Sequence, residues 1–228
     1  MDTVLLAAWT RVRARRGQFV ELGSATGAVS LMLALRFPPP FRVTGVEIQP
    51  GLVELAQRNL IENGLEDRVS FIRGDLRASH LLPAESFDGL VVNPPYESPE
   101  RGRISPVASR AIARHGEEHS KDHPGETRCS INDIAESALR LLKGRGRLFA
   151  IFRTDRMASF IGVMFARRLI PKRLRMVYPR TGEASNLFLI ECMKEGGEGL
   201  NVEPPLLVLD GQGQYTRELL RAYRPEGL

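Results

Sequence analysis

The chain has 228 residues, with 32 Lys and Arg against 27 Asp and Glu, a formal charge of +5. Hydrophobic residues make up 43% and charged residues 26%, which excludes a disordered chain and predicts one large domain or a domain with an appendage. A mean hydropathy of −0.18, with no apolar run long enough to cross a bilayer, excludes a membrane protein. No basic stretch followed by an apolar one opens the sequence, and the two cysteines, Cys129 and Cys192, form no CxxC pair. Cytoplasmic residence in a reducing compartment is the expectation.

The charge is unevenly distributed. Between Arg140 and Arg180 lie 12 basic residues and one acid, Asp155, whereas from Glu191 onward there are seven acids and four bases. Such a block suggests a polyanionic partner, and a solvated basic surface explains it equally well.

Val4, Leu5, Ala8, Trp9 and Val12 recur at helical spacing, and Arg11, Arg13, Arg15 and Arg16 crowd the end of that helix before Gly17. Gln18 to Leu22 reads as a short strand that opens into Gly23-Ser24-Ala25-Thr26-Gly27. A helix through Leu31 and Leu35 is broken by Pro38-Pro39-Pro40. Arg42 to Val46 is a second strand, and Gln49 to Asn63 a helix stopped by Gly64. Val69 to Ile72 and Phe87 to Val92 are further strands, the latter ending in Asn93-Pro94-Pro95-Tyr96. Residues 97–130 lack periodicity and predict a mobile functional loop. Ser130-Ile131-Asn132-Asp133 looks like a capping box for a helix through Leu142. Leu148 to Phe152 predicts a strand, Met157 to Phe165 a helix, and Arg173 to Tyr178 and Asn186 to Met193 the last strands. The tail carries an apolar run, Leu206 to Leu209, and a short helix around Leu219.

Alternating strands and helices predict an α/β fold with a parallel sheet covered on both faces. Ligands in such sheets sit beyond the carboxyl ends of the strands. Four segments fall there. The glycine turn lets a ligand approach the backbone, although it fits neither the dinucleotide fingerprint nor a P-loop, and alone it is equally a tight structural turn. Glu47, next to Ile48, can accept from a ribose diol, or can be an ordinary strand-end carboxylate. Asp75, followed by Leu76, can accept from an adenine amino group, or can cap a helix. Asn93-Pro94-Pro95-Tyr96 is the most specific segment. It offers a side-chain carbonyl, backbone carbonyls flanked by prolines that donate nothing, and an aromatic face. Acceptors converging on a planar NH2 group free its nitrogen lone pair for attack.

Together these segments resemble the class I S-adenosylmethionine-dependent methyltransferases that act on amino or amide nitrogens. That resemblance implies a Rossmann-like, seven-stranded, mostly parallel sheet with an antiparallel last strand. It implies S-adenosylmethionine as cofactor, held by Glu21, Gly23, Ser24, Gly27, Glu47, Ile48, Asp75, Leu76 and Asn93. Asn93, Pro94 and Tyr96 would be catalytic, with Pro95 beside the substrate. Ala25 departs from the glycine common at that position.

Further stretches resemble a narrower family, the bacterial tRNA1(Val) adenine-N6 methyltransferases. They are Asp2-Thr3-Val4-Leu5-Leu6, Ala113-Arg114-His115 with Glu117, Pro171-Lys172-Arg173-Leu174, Pro179-Arg180, and a tail from Gly199-Leu200 through Pro204-Pro205-Leu206 to Tyr215-Thr216-Arg217-Glu218. This resemblance implies methylation of the adenine beside the anticodon, in a methyltransferase domain spanning 1–194 with a tail at 195–228. It also implies an N-terminal segment, part of the cofactor lid, before the Asp-x-Val-Leu-Leu start that Met1 directly precedes here. Arg153, Arg156, Lys172, Arg173 and Arg180 are expected to contact RNA phosphates, which positions a substrate without reading its sequence. An unpaired anticodon base is cheap to extrude. On residues alone three other NH2 acceptors remain: guanine N2 of rRNA, adenine N6 of DNA and glutamine N5 of a protein. So does a non-enzymatic RNA-binding module. His115-Gly116-Glu117-Glu118-His119, with His123 and Cys129, has metal-ligand spacing, but the polar Gly-bearing setting predicts a loop, and neither a metal nor a membrane is expected.

Overall fold

The computed structural model describes residues 1–12, 17–94 and 129–224. Arg13, Arg15, Arg16, Pro95, Tyr96 and the expected loop at 97–128 lie outside the described residues.

Among the described residues, nine strands form one sheet. They are β1 (Gln18–Leu22), β2 (Arg42–Glu47), β3 (Val69–Arg73), β4 (Phe87–Val92), β5 (Leu142–Arg153), β6 (Leu169–Tyr178), β7 (Leu187–Lys194), β8 (Asn201–Val202) and β9 (Leu206–Leu207). The spatial order is β3-β2-β1-β4-β5-β7-β6-β8, and β9 also pairs with β6. The first five strands run parallel, while β7 is antiparallel to both neighbours, β5 and β6. The seven expected strands and the reversed last one are therefore present. The tail adds two short strands parallel to β6, pairing Arg173 with Asn201 and Val177 with Leu206. Their two-residue length hid them in the sequence, where period-2 alternation needs four or more residues to show.

Helices α1 (Asp2–Trp9), α2 (Ala28–Arg36), α3 (Pro50–Glu62) and α6 (Arg217–Ala222) contribute core residues to one face of the sheet. Helices α4 (Ile131–Leu141) and α5 (Met157–Ala166) cover the other. The capping box holds: Ser130 Oγ accepts from Asp133 N, and Asp133 Oδ2 accepts from Ser130 N at 2.7 Å. Pro50 begins α3, where its missing N–H costs nothing. Most boundaries agree within a residue, and three strand or helix ends differ by more. α1 ends at Trp9 rather than reaching Val12, and β5 and β6 start earlier, at Leu142 and Leu169. The extra strand residues include Lys143, Arg145 and Lys172, whose polarity concealed them.

The tail is fastened by a buried charge cluster. Arg173, on β6, is 5% exposed; its guanidinium lies 3.7 Å from the Trp9 ring centre and Nη2 donates to the Trp9 carbonyl at 2.7 Å. Glu203 pairs with Arg173 at 3.1 Å and accepts from Trp9 Nε1 at 2.8 Å. Glu191, on β7, pairs with Arg147 at 2.5 Å and with Arg173 at 3.4 Å. Removing the cation leaves the buried Glu191 with Arg147 alone, and Glu203 with the Trp9 N–H and a 3.4 Å contact to Arg11. Arg173→Ala is expected to lower unfolding stability by about 3 kcal/mol or more, read as a shift of the urea midpoint; an unchanged midpoint would refute the role of this cluster.

Candidate active site

Four strand ends meet in register. Leu22 pairs with Val46 on one side and Val92 on the other, so Gly23, Glu47 and Asn93 follow at neighbouring strand termini. Glu47 pairs with Arg73, two residues before Asp75. At the spacing of strands, Asn93 lies one strand from the glycine turn and about 10 Å across the rim from Glu47.

The glycine turn is built on the end of β2. Gly23 N and Ser24 N donate to the Val46 carbonyl at 2.9 and 3.0 Å. The buried Glu47 carboxylate accepts from Ala25 N at 2.8 Å and from Gln49 N at 2.9 Å. Both carboxylate oxygens thus hold backbone while keeping lone pairs for a further donor. Gly23 (φ +69°) and Gly27 (φ +79°) take left-handed conformations. A side-chain carbon on Gly23 would meet nothing within 4 Å, so the turn borders open space. On Gly27 it would strike the Phe71 ring at 2.3 Å, so that glycine answers to packing. Ser24 Oγ is buried with no hydrogen-bond partner among the described residues. Ala25 sits at φ +46°, a region that disfavours a side chain.

Glu21 is 3% exposed, and its Oε2 accepts from Ser30 N at 2.9 Å and Ser30 Oγ at 2.5 Å. Burial pushes its carboxyl up to about 8; the Ser30 hydrogen bonds oppose the shift and the nearby Glu47 adds to it. Asp75 does not cap a helix. It accepts from Arg77 N and Arg77 Nε, each at 2.9 Å, and the Arg77 guanidinium holds its carboxyl below the usual carboxylate range. Arg77 and Ser30, the partners of two candidate carboxylates, escaped the sequence reading because nothing in their spacing marks them. Ile48 is 36% exposed beside Glu47, and Leu76 packs with the α4–α5 core. Asn93 is half-buried and Pro94 buried.

The expected phosphate contacts divide. Arg153, Arg156 and Arg180 lie at the same end of the sheet as Asn93, because Arg153 ends β5 in register with Leu187, which also pairs with Val177. Arg153 pairs with Asp155 at 2.8 Å and Arg180 with Glu183 at 2.9 Å, while Arg156 is exposed. Arg173 is a correction: enclosed by Trp9, Glu191 and Glu203, it has no route to a phosphate. Lys172 is a second. Its ammonium is engaged by the carbonyls of Gly197, Glu198 and Gly199, which take up its three donors. The metal-like spacing at 115–123 lies outside the described residues, and those residues contain no cluster of three or more metal-ligating side chains. No described helix is long and apolar enough to cross a membrane.

The family described as a methyltransferase domain matches residues 19–116. A tRNA1(Val) (adenine(37)-N6)-methyltransferase of Haemophilus influenzae strain PittGG is 32% identical over 220 residues, covering 96% of this chain and 87% of its own. The chain belongs to the tRNA1(Val) (adenine(37)-N6)-methyltransferase family. A relative so named in Tolumonas auensis is 27% identical over 96% of this chain and 85% of its own. Among solved structures, a predicted O-methyltransferase of Agrobacterium tumefaciens superposes with a TM-score of 0.77 at 21% identity, over 100% of this chain and 97% of that one. It establishes the shared class I fold of this tRNA1(Val) methyltransferase family member.

Two outcomes follow from the geometry. Ala25→Gly relieves the left-handed strain and is expected to raise unfolding stability by up to about 1 kcal/mol, because the relief exceeds the entropy cost of glycine; a lower urea midpoint refutes this. Glu21 favours the fold while protonated. Its contribution is fully present below about 4.5 and is lost as pH rises toward and through about 8. Urea unfolding across that range is expected to lose stability at up to about 1.4 kcal/mol per pH unit relative to Glu21→Gln. Parallel profiles for the two proteins would remove Glu21 as the cause.

Proposed function

We propose that this protein transfers a methyl group from S-adenosylmethionine to N6 of adenine 37 in valine tRNA. Membership of the tRNA1(Val) methyltransferase family carries the substrate, and the Asn93-Pro94 carbonyl pair beside the glycine turn carries the chemistry.

The residues present fit the cofactor. The orphaned Ser24 hydroxyl and the open space over Gly23 are what a ligand lying on the turn requires, since a buried unpaired hydroxyl otherwise costs free energy. Gly23, Ser24 and Gly27 would hold its methionine portion, with Glu21 beneath. Glu47, already fixed by Ala25 N and Gln49 N, would accept from the ribose hydroxyls. Asp75, kept ionised by Arg77, would accept from the adenine amino group, with Ile48 and Leu76 as apolar walls. When bound, S-adenosylmethionine supplies an electrophilic methyl group on a sulfonium.

The chain's own residues prepare the nucleophile. The Asn93 side-chain carbonyl and the Pro94 backbone carbonyl accept the two hydrogens of the target NH2. This draws the nitrogen lone pair out of conjugation and aims it at the methyl group. Tyr96, with Pro95 at its side, would stack on the extruded base. The amine proton leaves to solvent after transfer, so no residue is needed as a strong base. Arg153, Arg156 and Arg180 would hold phosphates around the loop. Lys172 and Arg173 drop out of that set.

The decisive assay is methylation of unmodified valine tRNA, with nucleoside mass spectrometry locating N6-methyladenosine. Asn93→Ala is expected to lower kcat by about 100-fold or more, in the range seen when one preorganised transition-state contact is lost. Equal rates would end the role given to Asn93.

A further inference from the structure

At the opposite end of the sheet from Asn93, a cleft of about 220 Å³ is lined by Arg11, Asp88, Lys143, Arg145, Arg147 and the glycines 144 and 146 over an apolar floor of Phe19 and Met193. The carboxylate in this cleft is satisfied: Asp88 accepts from Lys143 Nζ at 2.8 Å and from Gln18 N at 2.9 Å. Arg147 is paired with Glu191, and Arg11 reaches Glu203 only at 3.4 Å. Arg145 is exposed, and its side chain makes no hydrogen bond or ion pair among the described residues.

The backbone here departs from the sheet. β4 pairs with Leu142 and next with Arg147, and β7 joins β5 only from Arg147, so residues 143–146 bulge out of both ladders. Arg145 takes φ +63° between two glycines. A left-handed residue within such a bend turns successive N–H groups toward one side, the arrangement that makes anion-binding concavities. A side-chain carbon on Gly146 would meet the Lys143 carbonyl at 2.9 Å, so the bend requires that glycine. The Arg145 side chain thus stands at the cleft, in a left-handed bend, with no side-chain partner among the described residues.

We propose that this cleft is a phosphate-binding site gripped by Arg145 and flanked by Arg11, and that it takes a backbone phosphate of the tRNA. The proposal rests on the tRNA reading above. The volume is below the 300–1,000 Å³ of pockets that enclose drug-sized ligands, which favours a single phosphate group over a whole nucleotide. The seven-residue run of β5 from Arg147 to Arg153 puts the cleft roughly 20 Å from the rim. A contact there adds affinity and orientation without touching the reacting base.

The test uses the full chain, unmodified valine tRNA and inorganic phosphate. Arg145→Glu is compared with Arg58→Glu, a charge-matched change on the exposed face of α3, and with Arg145→Lys. Arg145→Glu is expected to weaken tRNA binding by about five- to tenfold and to reduce the salt slope by about one. Arg58→Glu should move it less than twofold, Arg145→Lys should recover most of the loss, and S-adenosylmethionine affinity should stay constant in all three. Inorganic phosphate should shift the amide resonances of Gly144 and Gly146 saturably in the wild type and not in Arg145→Glu. If tRNA binding by Arg145→Glu matches Arg58→Glu while the phosphate shifts persist, the assignment to tRNA is overturned and the source is a free phosphate-bearing molecule. If neither arm responds, the site itself is overturned. Failure of the wild type to methylate tRNA would instead reject the functional reading, which the Asn93 assay reports separately.

Discussion

The end of β2 is the constraint on which the site depends. The Val46 carbonyl receives two consecutive N–H groups of the glycine turn, and the Glu47 carboxylate receives the N–H of Ala25 and that of Gln49. One strand terminus therefore sets the path of the loop from β1 and the entry into α3. Charge-assisted hydrogen bonds to backbone N–H groups are stronger than neutral ones, and burial of Glu47 keeps them from water. The turn can then stay open on its ligand side, over Gly23, because its other side is fastened.

Packing beneath the same turn is equally restrictive. Phe71 from β3 fills the space under Gly27 and Gly45, so the glycines serve the approach of an aromatic ring as much as the approach of a ligand. Ala25 is where the local rule is broken, with a methyl group in a left-handed conformation. Its N–H is the one that Glu47 holds, and that hydrogen bond offsets part of the strain.

Charge organises the rest of the molecule. Part of the basic stretch answers the acidic tail: Glu191, Glu203 and Glu218 pair with Arg147, Arg173 and Arg175, and Glu203 also reaches Arg11. Other cations of the basic stretch are exposed at both ends of the sheet. Arg153, Arg156 and Arg180 stand at the rim with Asn93, and Arg145 stands at the opposite end. A net charge of +5 thus conceals an internal clamp and two separate exposed groups.

The sequence by itself determined the α/β class, nearly every element, the capping box at Ser130 and the convergence of Gly23, Glu47, Asp75 and Asn93 on one rim. All of these follow from local periodicity, turn chemistry and the fixed geometry of parallel strands, which need no knowledge of distant partners. Only the tertiary structure decided which arginines face solvent. Arg173 reads identically to Arg153 along the chain, yet its neighbours Trp9 and Glu203 come from positions far away in sequence. The same holds for the Ser30 partner of Glu21, for Phe71 under Gly27, and for the strands of the tail, which are too short to show a period. Burial and charge pairing are long-range properties, and a linear pattern records only the residues that take part.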